Sequence, residues 1–101
     1  MKLEIGDAIV ELEYTVNSVC DLEELRKQDI GVLLNKKGMS AVRDLLWAGL
    51  TENKAGISIK EAGKLLGAYL KMHDISELLD AILKAIEDAG FLGAQGKKPK
   101  K

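Results

Sequence analysis

The chain carries one histidine and one cysteine, so a catalytic or metal-binding role has to start from them. His73 stands in a short link just ahead of Asp74. A zinc site needs three or four converging ligands, and a nucleophilic set needs a histidine held between a nucleophile and an orienting group. No such partners are spaced around His73, which reads as an exposed loop residue. Cys20 shares a helical face with Val16 and Val19, where a thiol behaves as a small hydrophobe. Its neighbours Asp21, Glu23 and Glu24 are acidic, the opposite of the surroundings that create a reactive thiolate. Glu4, Glu11 and Glu13 alternate with apolar residues, as the solvated face of an amphipathic hairpin does. No glycine-rich phosphate loop of the Walker or dinucleotide kind is present. The expectation is a protein that is not an enzyme and uses no cofactor or metal.

Two further features bear on binding rather than catalysis. Gly63 and Gly67 form a G-x-x-x-G in a helix that also carries lysines, which suits close helix approach or a partner surface, not a transmembrane dimer. Each glycine there lowers helix propensity by about 1 kcal/mol, so a packing reason is expected. Trp47 lies off the stripe Val42, Leu45, Leu46 and Leu50, which can be buried without it. It is either an interface anchor or part of a second buried face of the same helix.

The elements that must position these residues follow from periodicity. Residues 1–14 alternate apolar and acidic positions, with Leu3, Ile5, Val10, Leu12 and Tyr14 on one side and Gly6-Asp7 between the two halves, predicting a β-hairpin with one buried face. Thr15 caps a helix of about a dozen residues, with Val16, Val19, Cys20 and Leu22 inward and Asp21, Glu23, Glu24, Arg26 and Lys27 mostly solvated. From Ile30 to Met39 the glycines around Val32-Leu33-Leu34 predict a loop or short helical turn with an apolar plug. Ser40 is the expected cap of the second helix. After the break at 51–56, Ser58 and Glu61 form a capping box for the third, and Asp74 and Glu77 repeat it for the fourth. The last helix has the cleanest period, Ile75, Leu78, Leu79, Ile82, Leu83 and Ile86, and ends at Gly90.

The fold class expected is mainly α with a small N-terminal β-hairpin (α+β), a compact bundle of about four helices. Residues 1–92 are expected to form a single helical domain with the hairpin, and 93–101 a disordered basic tail. The 47% apolar content suits one domain whose core is mostly aliphatic, because only Tyr14, Trp47, Tyr69 and Phe91 are aromatic. The first twenty-nine residues hold eight acids against three bases, and Lys97, Lys98, Lys100 and Lys101 gather at the end. Without those four lysines, eleven bases face sixteen acids, which opposes the phosphate contacts of nucleic-acid binding. A helix-turn-helix regulator built on Ile59 to Leu83 is the alternative function. Its second helix would present Ser76, Glu77, Asp80, Lys84 and Glu87, again mostly acidic. The single cysteine suits a reducing cytosol. The start has no signal-peptide pattern, and no run approaches a membrane span.

Against this background the stretches Val16 to Leu25, Leu45-Leu46-Trp47-Ala48-Gly49-Leu50 and Ile57 to Leu66, behind an acidic hairpin, resemble the tail assembly chaperones of long-tailed bacteriophages and prophages. The resemblance covers residues 1 to about 92. It implies a non-enzymatic protein that binds the tape measure protein and recruits tail tube subunits during tail morphogenesis. It also implies action in the host cytoplasm, absence from the mature virion, and possible homo-oligomers through an edge strand at Lys2 to Ile5. The mechanism expected is reversible helix-in-groove binding, with Trp47, Leu50, Tyr69 and Leu70 as anchors.

Overall fold

The computed structural model describes residues 1–36 and 38–90. In chain order it contains strands β1 (Lys2–Ile5) and β2 (Ala8–Glu11), then helices α1 (Val16–Arg26), α2 (Ile30–Asn35), α3 (Met39–Leu50), α4 (Ile59–Leu70) and α5 (Ile75–Ala89). The expected class, mainly helical with an N-terminal hairpin, is the one observed. Phe91, Leu92 and the lysine-rich 93–101 lie outside the described residues.

β1 and β2 pair antiparallel in the register Leu3 with Val10 and Ile5 with Ala8, which leaves Gly6-Asp7 as a two-residue turn. Gly6 takes a left-handed conformation there, φ 61°, which glycine adopts without a Cβ penalty. Leu3, Ile5 and Val10 are buried while Ile9 faces outward, the alternation expected of one core-facing side. A two-stranded hairpin is marginal by itself. It is held because β1 packs on α4 and β2 on α3.

α3 is the hub, packed against α1, α2, α4, α5 and β2. Between Ala41 and Leu50 only Arg43 and Trp47 are not buried, so this helix is apolar almost all round and interior. The stripe Val42, Leu45, Leu46 and Leu50 lies in the core as its spacing requires, beside Leu12, Leu22, Leu78, Ile82 and Ile86. α4 opens with the predicted capping box: the Glu61 N–H donates to Ser58 Oγ at 3.0 Å and the Ser58 N–H to Glu61 Oε1 at 2.9 Å. At α5 the Asp74 N–H donates to Glu77 Oε1 at 2.8 Å, and Gly90 closes the helix at φ 95°. The short apolar plug is also present, as α2 with Leu33 buried.

Two local expectations need correction. α1 is capped by Thr15, but its inward line is Ser18, Val19 and Leu22 with Arg26 partly covered, whereas Val16 and Cys20 are exposed. The buried line is thus displaced by roughly one position from the expected one, and it runs on to Arg26, which meets a buried carboxylate on α3. α3 begins at Met39 with Gly38 as its cap, two residues earlier than a Ser40 cap would allow. The Val42 N–H already donates to Gly38 O at 3.2 Å, so Ser40 is inside the first turn and solvent-facing.

Candidate partner surface

The four expected anchors do not share one exposed face. Leu50 is fully buried in the core and is therefore unavailable to a partner. Its burial follows from its place on the core stripe of α3, which the spacing already indicates and which is incompatible with an anchor role. Trp47 is half-buried, and its indole N–H donates to Ile57 O at 2.9 Å. The ring thereby fastens the 51–57 turn against α3, a structural use of its one polar group. Leu70 is half-buried at the end of α4, and Tyr69 is mostly covered.

Tyr69 nevertheless contributes to a surface feature. An open concavity of about 450 Å³ lies between the hairpin and the last turn of α4, lined by Lys2, Leu3, Glu4, Ile9, Tyr69 and His73. The Tyr69 and His73 rings stack at 4.5 Å between centroids. His73 Nδ1 stands 3.4 Å from Glu77 Oε1, an ion pair only when the imidazole is protonated. Burial, and secondarily the Glu77 carboxylate, push the Tyr69 phenol above its ordinary range. Of the lining residues Ile9 is 65% exposed. The hairpin places Ile9 there because it pairs with Glu4 on the outward side of the ladder. His73, read as an isolated loop residue, is instead the edge of a stacked pair. Ile9 was legible as the outward member of the alternating strand, though its position beside α4 was not.

A second concavity, about 570 Å³, is bounded by the 53–57 turn and by Glu61, Lys64 and Leu65. It is as open as the first but more polar in its lining, and Ser58 already occupies the backbone N–H of Glu61 at the helix start. The glycine pair has a partial explanation. A Cβ on Gly63 would come within 3.2 Å of Arg43 Cδ, so α4 approaches α3 closely at that point, while nothing lies near a Cβ on Gly67.

Two buried polar arrangements complete the framework of this surface. Tyr14 is buried, and its hydroxyl donates to Leu45 O at 2.6 Å. The Glu13 N–H donates to Gly49 O at 2.8 Å, so the segment following β2 lies directly on α3. Arg26 grips Asp44 bidentately, Nε to Oδ2 at 2.7 Å and Nη2 to Oδ1 at 2.9 Å. That pair, which raises the Arg26 pKa further through its hydrogen bonds to Asp44, corrects the expectation of a solvated Arg26. Among the described residues there is no cluster of three His, Cys, Asp or Glu side chains suited to a metal, and no helix long and apolar enough to cross a membrane. No family model, no curated protein and no solved structure matches the chain.

Proposed function

We propose that this chain is an assembly chaperone of the phage-tail type. It captures an amphipathic helical segment of a tape measure protein and brings tail tube subunits to it, in the host cytoplasm and without entering the finished virion. The observation that carries the proposal is the concavity between the hairpin and α4. Its apolar surfaces, Leu3, Ile9 and the Tyr69 ring, are bordered by one cation and one anion, Lys2 and Glu4. A helix with an apolar stripe flanked by charges of both signs fits such a lining, and the exposed Ile9 side chain offers it an apolar contact. The resemblance of residues 16–25, 45–50 and 57–66 to the tail chaperones supports the same assignment. Ile9 is the exposed anchor, the nearly buried Tyr69 ring is the floor beneath it, and Trp47 acts by holding the 51–57 turn.

The test is co-expression of the full chain with a phage tape measure protein, followed by size-exclusion chromatography and titration of the purified pair. The two are expected to co-elute. Ile9→Lys places a charge on the outward side opposite Glu4 without touching the core, and it is expected to weaken capture about tenfold while circular dichroism is unchanged, roughly the 1.4 kcal/mol of one lost apolar contact. Full capture by a folded Ile9→Lys protein removes the concavity from the site. Absence of any complex, together with duplex-DNA binding that falls steeply between about 50 and 200 mM salt, replaces the proposal with the regulator alternative.

A further inference from the structure

We propose that the outward side of α4 is a docking surface for an acidic helix of a partner protein. Lys60, Lys64, Gly67 and Lys71 follow one another at i, i+4, i+7 and i+11, so they share one face of the helix, and all four are exposed. Ala62, Leu66 and Tyr69 lie on the other side and are buried, which separates this row from the concavity that Tyr69 lines. Among the described residues, no ion pair engages Lys60, Lys64 or Lys71.

Two features of this face cost the free helix stability. Lys60 and Lys64 are like charges one turn apart. Gly67 stands inside the helix with nothing near the place of its missing Cβ, so it lacks the packing reason that Arg43 gives Gly63. A second helix bearing carboxylates offsets both, because the glycine lets its backbone come close and the lysines then reach its acids. Arg43 adds a donor at the edge of the row. A Cβ on Gly63, the residue before Lys64, would lie 3.2 Å from Arg43 Cδ. Arg43 Nε is buried without a hydrogen-bond partner, since Arg26 already holds Asp44 bidentately. The Arg43 side chain as a whole is 36% exposed, which leaves its guanidinium within reach of an incoming carboxylate.

The charge pattern selects the class of occupant. Along the helix axis the lysines are separated by about 6 and 10 Å, the same rise that separates carboxylates at i, i+4 and i+11 of a helix lying alongside. The row is one side chain wide, and exposed acids border it, Glu61 in the first turn of α4 and Asp74 just beyond its end. Duplex nucleic acid carries its phosphates on a broader front and meets those acids as well. A helix with a single acidic stripe does not.

The experiment titrates the full ¹⁵N-labelled chain with an alanine-based helical peptide carrying glutamates at i, i+4 and i+11. Saturable shifts of the Lys60, Lys64, Gly67 and Lys71 amides are expected, and none with a peptide of the same composition whose glutamates are spread around the helix. Lys64→Glu is expected to weaken binding about tenfold. Gly67→Ala separates docking from folding: the added methyl enters open space, so Tm is expected to rise by a few degrees while peptide binding weakens. The proposal is overturned by an equal response to both peptides, by no saturable response, by shifts centred on another face, or by a Gly67→Ala protein that binds like the wild type. Tighter binding of duplex DNA than of the aligned peptide on this face overturns it too, and gives the row to nucleic acid.

Discussion

At the scale of single residues, the contact between Gly49 and Tyr14 has the sharpest consequences. A Cβ on Gly49 would collide with Leu12 Cδ1 and come within 2.7 Å of the Tyr14 ring, both of them buried and unable to retreat into solvent. Gly49→Ala is therefore expected to destabilise the protein by about 1–3 kcal/mol in urea unfolding, although alanine is the better helix former. Tyr14→Phe removes the hydroxyl bound to Leu45 O and is expected to cost about 1–2 kcal/mol. The same residue makes stability sensitive to alkali. Burial raises the folded-state pKa of the Tyr14 phenol above its ordinary 10.0. Stability from this group is then complete below about pH 10 and is lost as pH rises, because the unfolded chain ionises first. In Tyr14→Phe the fall in Tm above about pH 10 is expected to be shallower than in the wild type.

At the scale of elements, the helix starts differ in how they are secured. α4 has a reciprocal capping box, whereas α3 begins at Gly38 with no side-chain cap. α3 needs none because its packing on four other helices and β2 supplies its stability. Ser58→Ala is expected to cost about 0.5–2 kcal/mol, measured by chemical denaturation. The Glu61 carboxylate, accepting first of all from the Ser58 backbone N–H, titrates below its ordinary 4.5. Its contribution is present above about pH 4.5 and is lost as pH falls through the lowered folded value. Glu61→Gln should show a shallower loss of Tm on acidification than the wild type, and an identical acid profile would mean that the cap does not couple to folding.

At the scale of the whole molecule, the Arg26 and Asp44 pair joins α1 to the hub helix. The Asp44 side chain is 6% exposed and the Arg26 side chain 34%, so removal of the carboxylate leaves a cation that can partly return to water. Asp44→Ala is expected to cost about 2 kcal/mol, below the roughly 3–5 of a fully buried broken pair. A double-mutant cycle with Arg26→Met checks this, since independent effects would add. Arg43 contributes to the same region, its Nε 3.6 Å from Asp44 Oδ1 and its stem above Gly63. The hub thus binds α1 by charge, α4 by close approach and the hairpin by Tyr14, and through the hairpin and α4 it supports the surface on which Ile9 stands.

The sequence by itself determined the parts of this protein that depend on local physical chemistry. Alternation in 1–14 specifies the hairpin and its buried side, Gly6-Asp7 its turn, Ser58 with Glu61 the start of α4, and the 3.6-residue period the centre of the buried face of α5, Leu78, Ile82 and Ile86, although Leu83 of the expected face is exposed and Ala85 is buried instead. Each rests on dihedral preferences, side-chain direction or a cap within one turn, and neighbouring residues suffice for that. The tertiary structure alone decided which of the apolar residues remain at the surface. Leu50 and Cys20 both fall on apolar faces by helical spacing, yet one is buried and the other exposed, because α3 is packed on four helices and β2 whereas α1 turns Ser18, Val19, Leu22 and Arg26 toward α3. The candidate surface was least legible for the same reason: Lys2, Ile9, Tyr69 and His73 come from opposite parts of the chain, and only the packing of β1 on α4 brings them together.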